Sequence, residues 1–359
     1  MQTSIAIGKK IYVYAAAVIV ALLLNSSAVT TGAQSEFNGQ WIIETRPGTD
    51  RPMITLTYRN EKQGEWSHYS NTSHNFDWNQ LQGLSQADVA SSGSTVRFQI
   101  KRDAGSLNCE GWFRQGKGSG HFVFAPNQSF ASDLRSRGYD APTSEQQFRM
   151  ALHNVGLAVA DELKAQGYEQ PTIEQLVRIG THGVSLEYIR GLKELGYALK
   201  DVDMLVRMRD HGVSLNYIKE MVALGYGQLS AEKLVRARDH GVSPEFAKEI
   251  SAMGYRPELD ELIRVRDHGV NPSFIKEIRD LGYNQLTLEN LVRMRDHGVS
   301  PKWIEGIKRA GYDNLSVEQL IRLRNHGISG DYIERLKSQG FQNLSIEQII
   351  RLRNNGFDR

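Results

Sequence analysis

From Thr181 to Arg359 the chain repeats one short phrase, and that period sets what it can fold into. The phrase is clearest in Leu-Val-Arg-Met-Arg-Asp-His-Gly-Val-Ser, which stands at 205–214 and again at 291–300. Its histidine recurs as His182, His211, His240, His268, His297 and His326, at steps of 29, 29, 28, 29 and 29 residues, and the next step lands on Asn355. A fixed period of this size is the signature of a repeat architecture.

Each unit reads as two short helices. Ser243-Pro244, Asn271-Pro272 and Ser300-Pro301 each place a capping side chain before a proline at the first helical position. Phe246, Ile250 and Met253 follow on one helical face, and Gly254-Tyr255 reads as a Schellman stop. A second helix opens at Ser230, with Leu229 and Leu234 as a hydrophobic staple, and stops at Gly241. Ser316 with Gln319 and Ser345 with Gln348 spell capping boxes. Helices this short are marginal alone. They must bury their faces on neighbouring units, as in an α-solenoid.

The array begins before it becomes regular. Phe130–Tyr139 aligns with Phe246–Tyr255, and His153 precedes Tyr168 by the same interval that separates His182 from Tyr197. Two degenerate units at 127–180 therefore precede the regular units at 181–359, making eight helix pairs. Residues 36–125 follow a different pattern. Gln40–Thr45, Met53–Arg59, Thr95–Arg102 and His121–Phe124 are rich in β-branched and aromatic residues, and Val96, Phe98 and Ile100 alternate onto one face. Gly48, Gly64, Gly93, Gly105, Gly116, Gly118 and Gly120 read as turns, and Ser67–Gln82 as a long loop or irregular edge. The expected fold class is α+β: a small antiparallel β-domain followed by an α-solenoid of short helix pairs.

Residues 1–35 hold no acid, Lys9 and Lys10, and then the apolar run 11–24, which is short for a bilayer span of about 20 residues. Segment 1–33 reads as a secretory signal peptide, or as an N-terminal anchor through 11–24 if it is retained. The chain is expected to be exported, periplasmic or secreted. Losing 1–33 removes two of the 43 basic residues and none of the 41 acidic ones, leaving a formal charge of zero. That balance gives no drive toward nucleic acid or an anionic membrane. Cys109 is the single cysteine, so no intrachain disulfide forms.

Several patterns invite chemistry. Gly111-Trp-Phe-Arg-Gln-Gly-Lys117-Gly118 nearly spells a phosphate-binding loop, but the hydroxyl residue is missing and a strand rather than a helix follows; it reads as a glycine-rich hairpin turn. The His-Gly histidines fall at helix ends, where capping of a terminal carbonyl explains them better than a shared metal, because packed helices are about 8–10 Å apart. No cofactor and no metal are expected. Arg207/Arg209, Arg236/Arg238, Arg264/Arg266, Arg293/Arg295 and Arg322/Arg324 form two ladders. These can grip a carboxylate-rich partner, or pair between units with Glu220, Glu249, Glu277, Glu305 and the Asp of each Asp-His pair. The ladder Tyr188, Tyr217, Phe246, Phe274, Trp303 and Tyr332 follows the core face.

The register Leu-Gly-Tyr, Leu-(Ser/Thr)-x-Glu-x-Leu-(Val/Ile)-Arg-x-Arg-(Asp/Asn)-His-Gly-Val, Ser-Pro-x-aromatic-Ile resembles a repeat of exported bacterial proteins. It is similar to repeats in some relatives of the beta-lactam-sensor zinc metallopeptidases. Gly-x-Gly-x-Phe-x-Phe-x-Pro-Asn at 118–127 resembles the β-segment before such repeats. The resemblance covers about two thirds of the chain and brings over no catalytic residue, since the peptidase's zinc motif is absent. The expected function is a non-catalytic exported scaffold, monomeric or weakly oligomeric, that binds a protein partner. The alternatives are an envelope glycan binder using Trp66 and Trp78, or an enzyme with a site near Trp66–Trp78 and His121, with His68 and His74 unassigned.

Overall fold

The computed structural model describes residues 37–45, 51–60 and 68–357, with backbone alone at 59–60 and 68–70. The expected signal or anchor at 1–33, the turns at Gly48 and Gly64, and Trp66 lie outside the described residues. Within them the fold is α+β, an antiparallel sheet followed by a series of short paired helices. Two compact units form: one runs to Leu157 and includes Thr172–Val177, the other takes Ala158–Pro171 and everything from Arg178. No described helix is long and apolar enough to cross a membrane.

The sheet has seven strands: β1 (Asn38–Glu44), β2 (Met53–Asn60), β3 (His68–Asn75), β4 (Leu81–Gln82), β5 (Ser94–Arg102), β6 (Gly105–Arg114) and β7 (Lys117–Pro126). All neighbours are antiparallel, in the order β3-β2-β1-β7-β6-β5-β4. The inner face carries Trp41, Ile43, Leu56, Phe98, Phe113 and Phe122, all buried. Each such side chain contributes about 1.5–3 kcal/mol by leaving water. Trp41 meets Phe98 edge-on at 5.2 Å and Phe113 at 5.6 Å, and its indole N–H donates to the Glu110 carbonyl at 3.2 Å.

Two expectations for this region are corrected. Ser67–Gln82 contains the regular edge strand β3; its polar sequence has no apolar alternation because neither face is a full core face. Gly118 and Gly120 are strand residues, not turns. A Cβ on Gly118 would sit 2.4 Å from the Phe113 ring, and one on Gly111 would sit 2.5 Å from the Trp41 ring. The glycines are the space those rings occupy. The turn is Gln115-Gly116, both at positive φ (51° and 82°), so the near phosphate-binding loop is a β-hairpin.

Three helices complete this unit's described core: α1 (Gln86–Ala90), α2 (Phe130–Ser136) and α3 (Ser144–Leu152). Phe148 of α3 is 1% exposed and stacks on Phe37 at 4.8 Å, with Tyr58 at 5.2 Å and Phe124 at 5.3 Å. Beside it the buried Gln147 amide donates to the carbonyls of Ala104 and Asn127, both at 2.8 Å. The Leu157 N–H donates to the Asp103 carboxylate at 2.9 Å. The first helix pair is thus part of the sheet's own core, and the compact unit extends past the expected boundary at 125.

Eight helix pairs run from Phe130 to Asn354 among the described residues, and those of the second unit are nine residues long. Their ends are as expected. Ser243 accepts from the Phe246 N–H, with Pro244 at the first helical position, and Ser316 and Ser345 form capping boxes. Gly241 (φ 68°) and Gly254 (φ 90°) are left-handed. The Val242 N–H bonds the Ala237 carbonyl at 2.9 Å and the Gly241 N–H bonds Arg238 at 3.0 Å, a Schellman stop. First helices pack on the first helices of the next pair, and second helices on second helices. The aromatic ladder is buried as expected, and its polar tips bond forward: Tyr188 to the Val213 carbonyl at 2.7 Å, Tyr217 to Val242 at 3.2 Å, Trp303 to Ile328 at 3.0 Å.

Candidate functional site

The arginine ladders resolve into two kinds of inter-unit contact. The second arginine of each pair sits over the aromatic ring of the preceding first helix. Arg209 is 5.0 Å from the Tyr188 centroid, Arg238 5.0 Å from Tyr217, Arg266 5.1 Å from Phe246, Arg295 5.0 Å from Phe274 and Arg324 5.8 Å from Trp303. The Arg209 Nε also donates to the Gly183 carbonyl at 3.0 Å, at the end of the preceding second helix. A planar cation held by both a ring and a helix-end carbonyl is a use that lysine would serve poorly.

The first arginine reaches an acid in the opening turn of the next second helix. Arg236 meets Asp260 at 2.6 Å, Arg293 meets Glu318 at 2.7 Å, and Arg322 grips Glu347 with two bonds at 2.8 and 2.9 Å; Arg264 holds Glu289 in the same two-pronged way. Donating to Glu289 and Glu347 raises the pKa of the Arg264 and Arg322 guanidinium groups, and the bonds accepted from Arg322 lower that of Glu347. Among the described residues, Arg207 makes no ion pair. Pairing between units therefore exists, but its acids are those at the helix N-termini rather than Glu220, Glu249, Glu277 and Glu305. The N-terminal dipole favours an acid there, so the acid serves two helices at once.

The histidines are helix C-cap residues, as expected, but their side chains do not bond terminal carbonyls. Each Nδ1 faces the side chain that precedes the next unit's histidine: His182 to Asp210 at 2.6 Å, His240 to Asp267 at 2.9 Å, His268 to Asp296 at 2.5 Å, with His211 on Asp239 likewise. In the last two links an amide oxygen takes that place, Asn325 for His297 and Asn354 for His326, both at 2.9 Å. The histidine is an inter-unit staple. No three of His, Cys, Asp or Glu converge to hold a metal ion among the described residues.

In the sheet unit the expected residues are scattered. Trp78 is half-buried on a short 3-10 turn at Trp78–Gln80, and Trp66 and the His68 side chain lie outside the described residues. His74 and His153, both half-buried, meet edge-to-face at 5.8 Å; burial first, then the charge of His74 and Arg149, presses the His153 pKa down to about 4. Burial likewise lowers His74, which accepts from or donates to the Thr72 hydroxyl at 2.8 Å. Burial pushes the Cys109 thiol well up, which makes it a weak nucleophile. His121 stands on the outer face, 3.9 Å from the Glu110 carboxylate.

On that same outer face stands a residue that belongs to none of the sequence motifs. Trp112 is 53% exposed, flanked across the strands by Thr95 and Ser119. The signal was legible: Leu107, Cys109 and Phe113 alternate inward, which turns Trp112 outward. No protein-family model matches the chain, and no curated protein is similar to it.

Proposed function

We propose that the protein is a non-catalytic binding scaffold, exported to the cell envelope, whose helix-pair array offers an extended surface to a protein partner. The observation that supports this is how the repeat divides its residues. The positions that stay constant from unit to unit are spent on neighbours: the arginines, the histidine, the aromatic and the glycines all make inter-unit or helix-end contacts. Among the positions that vary, Asn216, Glu245, Ser273 and Lys302 share one register position on the exposed outside of the first helices; at another, Val222 is open, whereas Arg279 and Lys308 reach back to the Met253 and Leu281 carbonyls at 2.8 and 2.9 Å. Val222 is 47% exposed. A depression of about 380 Å³ lies between two such helices, lined by Glu220, Ala223, Leu224, Pro244, Glu245 and Lys248.

The partner surface is therefore assigned to these outer positions, and the ladder arginines other than Arg207 to structure. The resemblance of the repeat register to relatives of sensor peptidases belongs to the same reading and implies no chemistry here. The test uses cross-linked capture from the source cells' envelope, with wild type beside a chain carrying Glu245→Lys, Lys248→Glu and Lys302→Glu, and a second carrying Arg236→Gln and Arg264→Gln. A partner protein lost only from the first variant supports the proposal. Capture unaffected by it, or turnover of a model substrate abolished by one point mutation, contradicts it.

A further inference from the structure

The sheet's outer face carries a strip that its fold does not need. Trp112 projects from β6 with its ring uncovered, because its cross-strand neighbours are the small Thr95 and Ser119. Tryptophan is seldom left this open, and an exposed indole is a marker of contact surfaces. Two residues along the same strand and on the same face is Glu110, paired with Arg97 at 3.0 Å. Beyond it the Gln99 amide donates to Asn108 at 2.8 Å. Gln82 closes the row, next to Gln99 in the register. Gln82, Arg97, Gln99, Asn108 and Glu110, with Phe98 and Cys109, line an open depression of about 360 Å³, within the roughly 300–1,000 Å³ of small-molecule sites; Trp112 stands outside that lining, two residues past Glu110 on the same face of β6.

The chemistry of the strip selects its ligand. The two charges that line the depression, Arg97 and Glu110, pair with each other at 3.0 Å, so an ionic ligand gains nothing from them there, and Lys101 and Arg114 stand outside its lining. Its polar groups are planar amides, a carboxylate and a guanidinium, which offer donors and acceptors side by side, in pairs. The flat Trp112 ring lies open to solvent beside it, and on the neighbouring strands of the same face Val123 and Ile42 are also exposed. A pyranose has the complementary form: an apolar C–H face that stacks on an indole, and a rim of vicinal hydroxyls that bind planar polar groups two at a time. An open, shallow depression on a sheet suits an extended, ribbon-like chain better than a compact molecule. We propose that the outer face of β5 and β6 is a binding site for uncharged β-linked polysaccharide, with Trp112 as the stacking platform and Gln99, Asn108 and Glu110 as the hydroxyl-binding groups. This reading is independent of the helical array, and it moves glycan recognition from Trp66 and Trp78 to Trp112.

The experiment is calorimetric titration of the full chain with two tetrasaccharides, cellotetraose and chitotetraose, up to millimolar concentration. Saturable binding of at least one is expected. Trp112→Ala should weaken it by about tenfold or more, the equivalent of about 1.4 kcal/mol, with an unchanged circular-dichroism spectrum. Asn108→Ala should weaken it by less, and Val222→Ala on the helical array should leave it alone. Trp112 is exposed and outside the core, so its removal leaves folding intact; Gln99→Ala serves as a second variant should it not. Preference between the sugars tells whether hydroxyls or acetamido groups are read. Binding of neither, or binding that survives Trp112→Ala undiminished, overturns the proposal, as does a protein partner whose capture depends on Trp112.

Discussion

The sheet unit and the helical array solve the problem of stability in opposite ways. The sheet unit concentrates it: Trp41, Phe98, Phe113, Phe122 and Phe148 meet across strands and helices far apart in the sequence. The array distributes it: the links between units draw on one small set of contacts spanning 21 to 32 residues, a guanidinium on a ring, an arginine on an acid, a histidine on a carboxylate or amide oxygen, a tyrosine on a carbonyl. The comparison teaches what sort of damage each can bear. A lesion in a shared core is felt throughout it, whereas a lesion in a chain of nearest neighbours is felt on either side.

The largest effect should come from breaking the shared core. Phe148→Ala removes a ring that four others touch, and should cost about 3–5 kcal/mol. Far-ultraviolet spectroscopy with a probe on Trp41 should then report the sheet losing its structure as a single transition. Ile250→Ala in the array, although also fully buried, should leave the helices several units away protected.

Acid offers a second contrast. Unfolded, His153 has an ordinary pKa of 6.5; folded, it is depressed to about 4 by burial, then by His74 and Arg149. The unfolded chain therefore binds the proton first as pH falls. Stability from this group is complete above pH 6.5 and is lost between 6.5 and about 4, on the order of 3 kcal/mol at the acid end. His74, also depressed, acts in the same direction. His153→Asn should flatten this part of the profile, measured by denaturant midpoints at pH 7 and 5.

Smaller effects test the helix ends. Gly254→Ala places a side chain at φ 90° with no atom within 4 Å, so only backbone strain of about 1 kcal/mol is expected. Gly269→Ala should cost more, because its Cβ would also approach the Arg295 guanidinium to 3.0 Å. Glu232→Ala, on an exposed surface, should hardly move the melting temperature. Equal effects from all three would mean that the helix ends are misplaced. Smallest is His240→Asn, expected to cost under about 1 kcal/mol, since Asn355 holds the same position in the last unit and an amide can still reach a carboxylate. Its unfolding should also be insensitive to chelator; a large chelator effect would make the histidines metal ligands after all.

These contrasts follow how legible each region was. The array's punctuation is local: Ser-Pro, Gly-Tyr and His-Gly each act within one turn, so the helix ends and the eight pairs could be read directly. The partners of the ladders could not, because Arg236 meets Asp260 rather than Glu249 through a packing geometry that no single unit contains. In the sheet, β5 was legible from its alternation. β6 and the first half of β7 were masked by their glycines, whose role depends on rings in other strands: Gly111 makes room for Trp41, 70 residues earlier. The edge strand β3 lacked any apolar pattern. Trp112 was within reach of the alternation of β6, but only once β6 was seen as a strand.

The central claim is that the array is held by neighbours alone while the sheet unit is held by one core. Residue-resolved hydrogen exchange on the full chain under native conditions tests it most directly. The account predicts that the core amides of β1, β5, β6 and β7 exchange with one common free energy, while protection in the array is graded, lowest in the terminal helix Ile346–Asn354 and rising toward the interior units. A single free energy shared by every helix from Leu186 to Asn354 would contradict it.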